Sequence, residues 1–218
     1  MKRIIGLLTC VYLFVVCLML SFDDGGSPSV VLRKHFYVSD FDTTRFVPLY
    51  TEYWLTKAHE VGTYDRTPFK MDTSLPKRLQ SNGSEYNDIY DRGHLAPDDD
   101  FRFDSIAQAE SMLYTNAAPQ VKSFNRGLWR MVENYTRKVA LQYDSVFVTT
   151  GCIYSDKKLG KLSIPDYYYK ILVYKGHKEE FLAANKIYAK NDISLIRLDL
   201  TKDSVEGRLG YKLINFYN

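Results

Sequence analysis

The stretch Tyr90-Asp91-Arg92-Gly93-His94-Leu95-Ala96-Pro97-Asp98-Asp99-Asp100-Phe101 is where the chain concentrates its chemistry. The chain carries four histidines, His35, His59, His94 and His177, and only His94 sits in a dense polar cluster. Gly93 lets the backbone turn closely beside the ring, and Pro97 ends the element that carries it. An ordinary histidine titrates near pH ~6.5, which suits a base working at neutral pH. With so few histidines and no H-E-x-x-H pattern, a histidine-rich zinc site is hard to assemble. Asp98-Asp99-Asp100, coming after a proline, reads as a solvated turn and not as a ligand set.

Downstream lie Asn116-Ala117-Ala118-Pro119-Gln120, then Asn125-Arg126-Gly127-Leu128-Trp129, then Glu133 and Arg137. Periodicity predicts a helix over about 125–141, with Leu128, Val132, Tyr135 and Val139 as its apolar face. If Asn125 opens that helix, Asn125, Trp129, Glu133 and Arg137 follow at steps of four. Each step drifts by about 40°, so they form one slanting stripe beside the apolar one. Taken alone, Glu133 and Arg137 would be a surface ion pair in the favourable order. A second helix is expected over about 104–113. Runs rich in Val, Ile, Tyr or Thr predict strands at 50–55, 145–150, 167–174 and 194–198. Strands dominate and helices interrupt them irregularly, which points to an α+β class.

The D-R-G-H motif at Asp91–His94, followed by Asn116, Gln120, Asn125, Glu133 and Arg137 in that order, resembles the DNA/RNA non-specific endonuclease family. That family comprises the Serratia-type and endonuclease G-like nucleases with a ββα-metal (His-Me finger) site, and the likeness covers about 50–175. It implies a central antiparallel sheet flanked by helices, and hydrolysis of phosphodiester bonds within DNA and RNA. By the same resemblance His94 is the general base and Asn125 holds a single Mg²⁺, for which Mn²⁺ can substitute. Arg92 matches the motif arginine at the phosphate, and Glu133 and Arg137 match residues holding metal-bound water and phosphate. Asn116 matches an asparagine that supports the centre. Arg126, Gln120 and Arg102 are the expected substrate-binding residues, with Arg66, Lys77 and Arg78 as further groove cations. Homodimers are common in the family, although this sequence carries no dimer signal. The acidic run at 98–100 departs from the family, where small residues commonly occupy part of this stretch. A segment like Ile164-Pro165-Asp166-Tyr167-Tyr168-Tyr169-Lys170-Ile171 follows the catalytic helix in bacterial members; its tyrosines read as half core and half surface.

The chemistry is consistent with such a site. Water attacks a phosphodiester when a base takes its proton and the departing alkoxide is stabilised, and a hard divalent ion does the second task. Mg²⁺ keeps several waters and needs only one or two protein oxygens, so a single asparagine carbonyl suffices. Two alternatives stay open at this point: an inactive nucleic-acid-binding relative, and a phosphodiesterase acting on small nucleotides.

Composition bounds the rest. The chain has 218 residues, with 45% hydrophobic and 25% charged, which suits one folded domain. Its formal net charge is +3; Lys2 and Arg3 lie ahead of an uncharged apolar run at 4–20, and without them it is +1. Binding to nucleic acid must therefore come from local cations, not a global field. The positive end followed by the apolar run reads as a secretory signal or a retained membrane anchor, covering 1–21. Cys17 also admits a lipoprotein, although Val16 before it is not small. Each reading exports the remainder, as a linker at 22–29 and a single domain at 30–218. Cys152 is the sole cysteine of that domain, which excludes an internal disulfide and points to a buried residue at a strand end.

Overall fold

A computed structural model of the protein describes residues 20–22, 28–210 and 212–213. The apolar run apart from Leu20, and residues 23–27 of the expected linker, lie outside the described residues. Strand β1 (Leu20–Phe22) pairs antiparallel with β2 (Pro28–Arg33), so Phe22, Pro28 and Ser29 belong to the sheet. The chain continues through β3 (Val38–Asp42) and β4 (Val47–Thr56), then leaves the sheet for almost ninety residues. It returns as β7 (Ser145–Leu159), β8 (Leu162–Tyr174) and β9 (His177–Ala184). All neighbours are antiparallel, in the order β1-β2-β3-β4-β7-β8-β9. The excursion between β4 and β7 holds a two-stranded ribbon, β5 (Tyr90–His94) and β6 (Ala117–Val121), with helix α1 (Ser105–Ser111) between its strands. Asp104 caps α1 by accepting from the Ile106 and Ala107 N–H groups.

Beyond β6 come the helical turn α2 (Lys122–Phe124), a π-helical turn over Asn125–Trp129, and helix α3 (Arg130–Tyr143). The helix therefore begins three residues before Asn125, and Asn125 lies inside it. Phe124, Leu128, Trp129, Val132, Val139 and Ala140 are buried in one cluster with Tyr53 and Leu55 of β4, Val146 and Val148 of β7, and Tyr168 and Leu172 of β8. The opposite face of the sheet is covered locally by α4 (Val205–Leu209). Its Val205 joins Leu49, Tyr50, Tyr169 and Ile171 in a second cluster. Tyr168 and Tyr169 are consecutive yet both buried because β8 is covered on both faces there, while Tyr167 is exposed. Cys152 is buried within β7, seven residues short of its end.

The expected strand at 194–198 is instead a 3₁₀ turn at Ile193–Leu195 followed by a single bridge from Arg197 to Phe181. Asp192 accepts from both the backbone N–H and the hydroxyl of Ser194, which bends the chain before a ladder can form. Pro119 has no N–H to donate, a loss that the short ribbon tolerates more readily than a central strand would. Tyr168 ties the ribbon to the main sheet by donating to the Ala118 carbonyl at 3.0 Å.

Trp129 is fully buried against Phe124 and Tyr168. Trp129→Ala should cost about 3–5 kcal/mol in urea unfolding. A loss under about 1 kcal/mol would show that the helix does not anchor there.

Candidate active site

The ribbon and the helix after it form a ββα unit around a cleft of about 620 Å³. Asp91, Arg92 and His94 line it from β5, and Asn125, Arg126, Arg130 and Glu133 from the helix. Arg66, Phe69, Met112, Asp98 and Asp99 close its remaining sides. The ring of His94 stacks on Phe69 at 4.8 Å, and its Nε2 lies 3.3 Å from the Met112 sulfur. Loss of water around the ring, then the nearby Arg66 charge, pull His94 down to about 3. The imidazole is therefore neutral at neutral pH and retains a lone pair.

Gly93 is required by Gln120, which pairs with Asp91 across the ribbon and lays its side chain over Gly93. A Cβ there would lie 2.3 Å from Gln120 Oε1 and 2.6 Å from the Gln120 Cβ. Gln120, one of the expected substrate contacts, is accordingly folded over β5, fully buried and outside the cleft lining. Asn116 is also fully buried. Its amide donates to the Ala96 and Ser111 carbonyls and accepts from the Ala96 N–H, pinning the turn just after His94. It acts on the backbone beside His94, outside the cleft lining.

Asp91 organises the helix side. Its carboxylate accepts from Asn125 Nδ2 at 3.0 Å and from Arg126 Nε and Nη2 at 2.8 and 2.7 Å. The amide nitrogen of Asn125 is thereby committed, which fixes the orientation of its carbonyl oxygen as an acceptor. Burial raises the Asp91 pKa, but hydrogen bonds from Arg126 and Asn125 outweigh it and hold the carboxyl below its ordinary value. The Arg92 guanidinium lies 5.1 Å from the Tyr86 ring and 5.8 Å from those of Phe69 and Tyr114.

Two sequence expectations change here. Asp98-Asp99-Asp100 is no solvated turn: it forms a 3₁₀ turn in which Asp98 and Asp100 are buried. Asp98 accepts from Gln108 at 2.7 Å, and Asp100 from Tyr53 at 2.7 Å and Arg137 at 2.9 Å. That pairing engages Arg137, which was expected at the phosphate, with Asp100 and leaves it outside the cleft lining. Glu133 and Arg137 form no direct ion pair within 4 Å among the described residues. Arg102 is likewise outside the cleft lining, donating to the Tyr64 carbonyl at 2.7 Å with Asp99 3.8 Å away. Lys77 and Arg78 are remote from the lining, whereas Arg66 belongs to it. Phe69, Met112 and Arg130 carried no sequence signal; Asp91 did, through its place in the motif.

A family model described as DNA/RNA non-specific endonuclease matches residues 19–215. The chain belongs to that family. Members of the DNA/RNA non-specific endonuclease family are nucleases, that is, phosphodiester hydrolases. The chain is similar to Nuclease C1 of Cunninghamella echinulata var. echinulata, with 28% identity over 71% of this chain and 69% of that one. It is similar to the mitochondrial Nuclease 1 of Schizosaccharomyces pombe, with 33% identity over 57% of this chain and 40% of that one. A chain in the crystal structure of an EndoG/EndoGI complex superposes with a TM-score of 0.76 at 27% identity, covering 85% of this chain and 86% of that one. Across the curated relatives, this chain spans from under half to about two thirds of their length.

Because Asp100 is 1% exposed at its side chain and Arg137 14%, removing one partner strands a buried charge. Arg137→Ala should lower stability by about 3–5 kcal/mol, read from urea unfolding. An unchanged stability with a raised KM would return Arg137 to the substrate.

Proposed function

We propose that this chain is a divalent-metal-dependent endonuclease that cuts DNA and RNA without strong sequence preference, acting outside the cytoplasm. The observation that carries the reading is the neutral His94 imidazole facing one cleft with the oriented Asn125 amide and the Glu133 carboxyl.

The donor set fits a hard ion bound sparsely. Among the described residues no group of three His, Cys, Asp or Glu side chains gathers to cage a metal. Asn125 offers one carbonyl oxygen, its nitrogen being held by Asp91. Mg²⁺ or Mn²⁺ needs little more from the protein, since waters and phosphate complete its sphere. Asn125 would hold the ion, which when bound neutralises charge on the phosphate and the leaving oxygen.

The protein's own part is positional. His94 takes the proton of the attacking water at an imidazole nitrogen, while Phe69 and Met112 keep the ring in place. Arg66, Arg92, Arg126 and Arg130 are the cleft cations available to phosphate oxygens. Arg126 is half engaged by Asp91, so a phosphate must compete with that carboxylate. Glu133 accepts hydrogen bonds from ordered water as a carboxylate, and its pKa is raised above 4.5, first by burial. The positive end ahead of the apolar run at 4–20 supports export through a signal or anchor.

The test is cleavage of supercoiled plasmid and of RNA by the purified chain with Mg²⁺ or Mn²⁺. Nicking followed by linearisation should vanish with EDTA. His94→Ala should lose at least about a hundredfold in rate, the usual scale for a positioned base. Asn125→Ala should lose activity that higher Mg²⁺ partly restores. Folded protein that leaves both nucleic acids intact would refute the reading, and hydrolysis of bis(p-nitrophenyl) phosphate alone would favour a small-substrate phosphodiesterase. With His94 held at about 3, the acid limb of the pH profile should follow Glu133 and sit above pH 4.5. In Glu133→Gln the residual activity should show no such limb; persistence of the limb would assign it elsewhere.

A further inference from the structure

Lys170 is a fully buried cation that the cleavage reaction, as set out above, does not use. It sits on β8, opposite Thr150 of β7, and its ammonium donates to the Thr150 hydroxyl at 2.5 Å. Its other close surroundings are aromatic: the Trp129 ring at 5.8 Å and the Tyr53 ring at 5.9 Å. A buried ammonium with one neutral acceptor and two π faces is poorly compensated by those contacts alone. Its carboxylate complement lies just beyond the two rings. Tyr53 donates from its hydroxyl to Asp100, so the same side chain carries the lysine on its face and the aspartate at its tip. Trp129 is one helical turn before Glu133, whose carboxyl lines the cleft.

We propose that Lys170 is a positioning residue for the reaction: its buried ammonium, behind the helix, keeps the Glu133 carboxyl ionised and accepting. This deepens the nuclease reading and rests on it. The charge balance around Glu133 shows why a cation is needed. Asp100 and Asp99 face it from the acidic turn, Arg137 from its own helix, Lys170 from β8 and the Tyr53 hydroxyl from β4; His94 shares the cleft and is neutral. Arg137 is taken up by Asp100, and Asp99 lies 3.9 Å from Arg137 and 3.8 Å from Arg102. Without Lys170, Glu133 would be left with Arg137, which Asp100 already engages. Burial raises the Glu133 pKa, and Lys170 is the largest influence opposing that rise. Burial likewise lowers the Lys170 pKa, with Glu133 and Asp100 pulling it back up. Each group opposes the other's loss of charge, with burial still leaving Glu133 raised and Lys170 lowered.

The sign is fixed by this arrangement. Removing the positive charge stabilises the protonated Glu133, so activity that needs the carboxylate fails at higher pH than in the parent. The experiment is the pH profile of plasmid cleavage by the whole chain, its Lys170→Met and its Lys170→Arg variants, with folding checked by circular dichroism. Lys170→Met should move the acid limb up by about one pH unit, a tenfold change in proton affinity. Lys170→Arg, which keeps the charge, should move it less. A uniform fall in rate at every pH, with the limb unmoved, would make Lys170 a packing residue and overturn the proposal. If Lys170→Met does not fold, Lys170→Met combined with Glu133→Gln decides the matter. Recovery of folding supports the charge pairing, and failure to recover overturns it. An inactive parent chain would instead refute the nuclease reading and leave its mark before any variant is compared.

Discussion

The segment Lys122–Tyr143 must meet two demands at once. Trp129 and Leu128 have to enter the core against β4, β7 and β8, while Asn125 and Glu133 have to reach the cleft. In a straight α-helix, residues four apart lie within about 40° of one another, so Asn125, Trp129 and Glu133 would share a face. The π turn at Asn125–Trp129 resets the angular register of Asn125 against Trp129, the Arg130 N–H reaching back to the Asn125 carbonyl five residues away, while Trp129 and Glu133 stay one regular turn apart. The apolar contacts then fix the helix, and the polar side chains are aimed by it.

Asp91 completes that aim from the other side of the cleft. It is the motif residue next to Arg92, yet its work is done on the helix, where it holds Asn125 and Arg126 together. The ββα unit is thus closed by one carboxylate spanning strand and helix. Beneath it lies a second, drier layer of charge in Asp100, Arg137 and Lys170, with Tyr53 between. Buried ion pairs contribute little net stability against an apolar replacement. Their value here lies in geometry, because they connect the acidic turn, helix α3 and strand β8 behind Glu133.

The class of fold and the residues around His94 were legible in the sequence because local rules govern both. Runs rich in Val, Ile, Tyr or Thr made β4, β7 and β8 readable, and the Leu128, Val132, Val139 spacing made α3 readable. What was not legible depended on partners distant in sequence. Asp98-Asp99-Asp100 has the composition of a solvated turn, and only Tyr53, Gln108 and Arg137 turn it inward. Gln120 looked available to substrate until Gly93 opened a place for it. Arg137 fell on the expected stripe, but its pairing with Asp100, 37 residues away in sequence, carried no local signal. The π turn left no mark at all, since no residue type in Asn125-Arg126-Gly127-Leu128-Trp129 requires it.

The cleft itself is close to charge-balanced. Arg66, Arg92, Arg126 and Arg130 face Asp91, Asp98, Asp99 and Glu133 across it. With a formal charge of only +3 for the whole chain, long-range attraction of a polyanion is weak. Affinity for a phosphate backbone then has to come from exchange at short range, for example Arg126 leaving Asp91 for a phosphate oxygen. Such exchange reads no bases, because guanidinium–phosphate contacts set position along the strand and carry no sequence information. It also couples binding to the chemistry. An Arg126 drawn towards phosphate leaves the Asp91 carboxylate to Asn125 alone, which strengthens the one tether that orients the amide. In this cleft, substrate engagement and preparation of the Asn125 site pass through the same carboxylate.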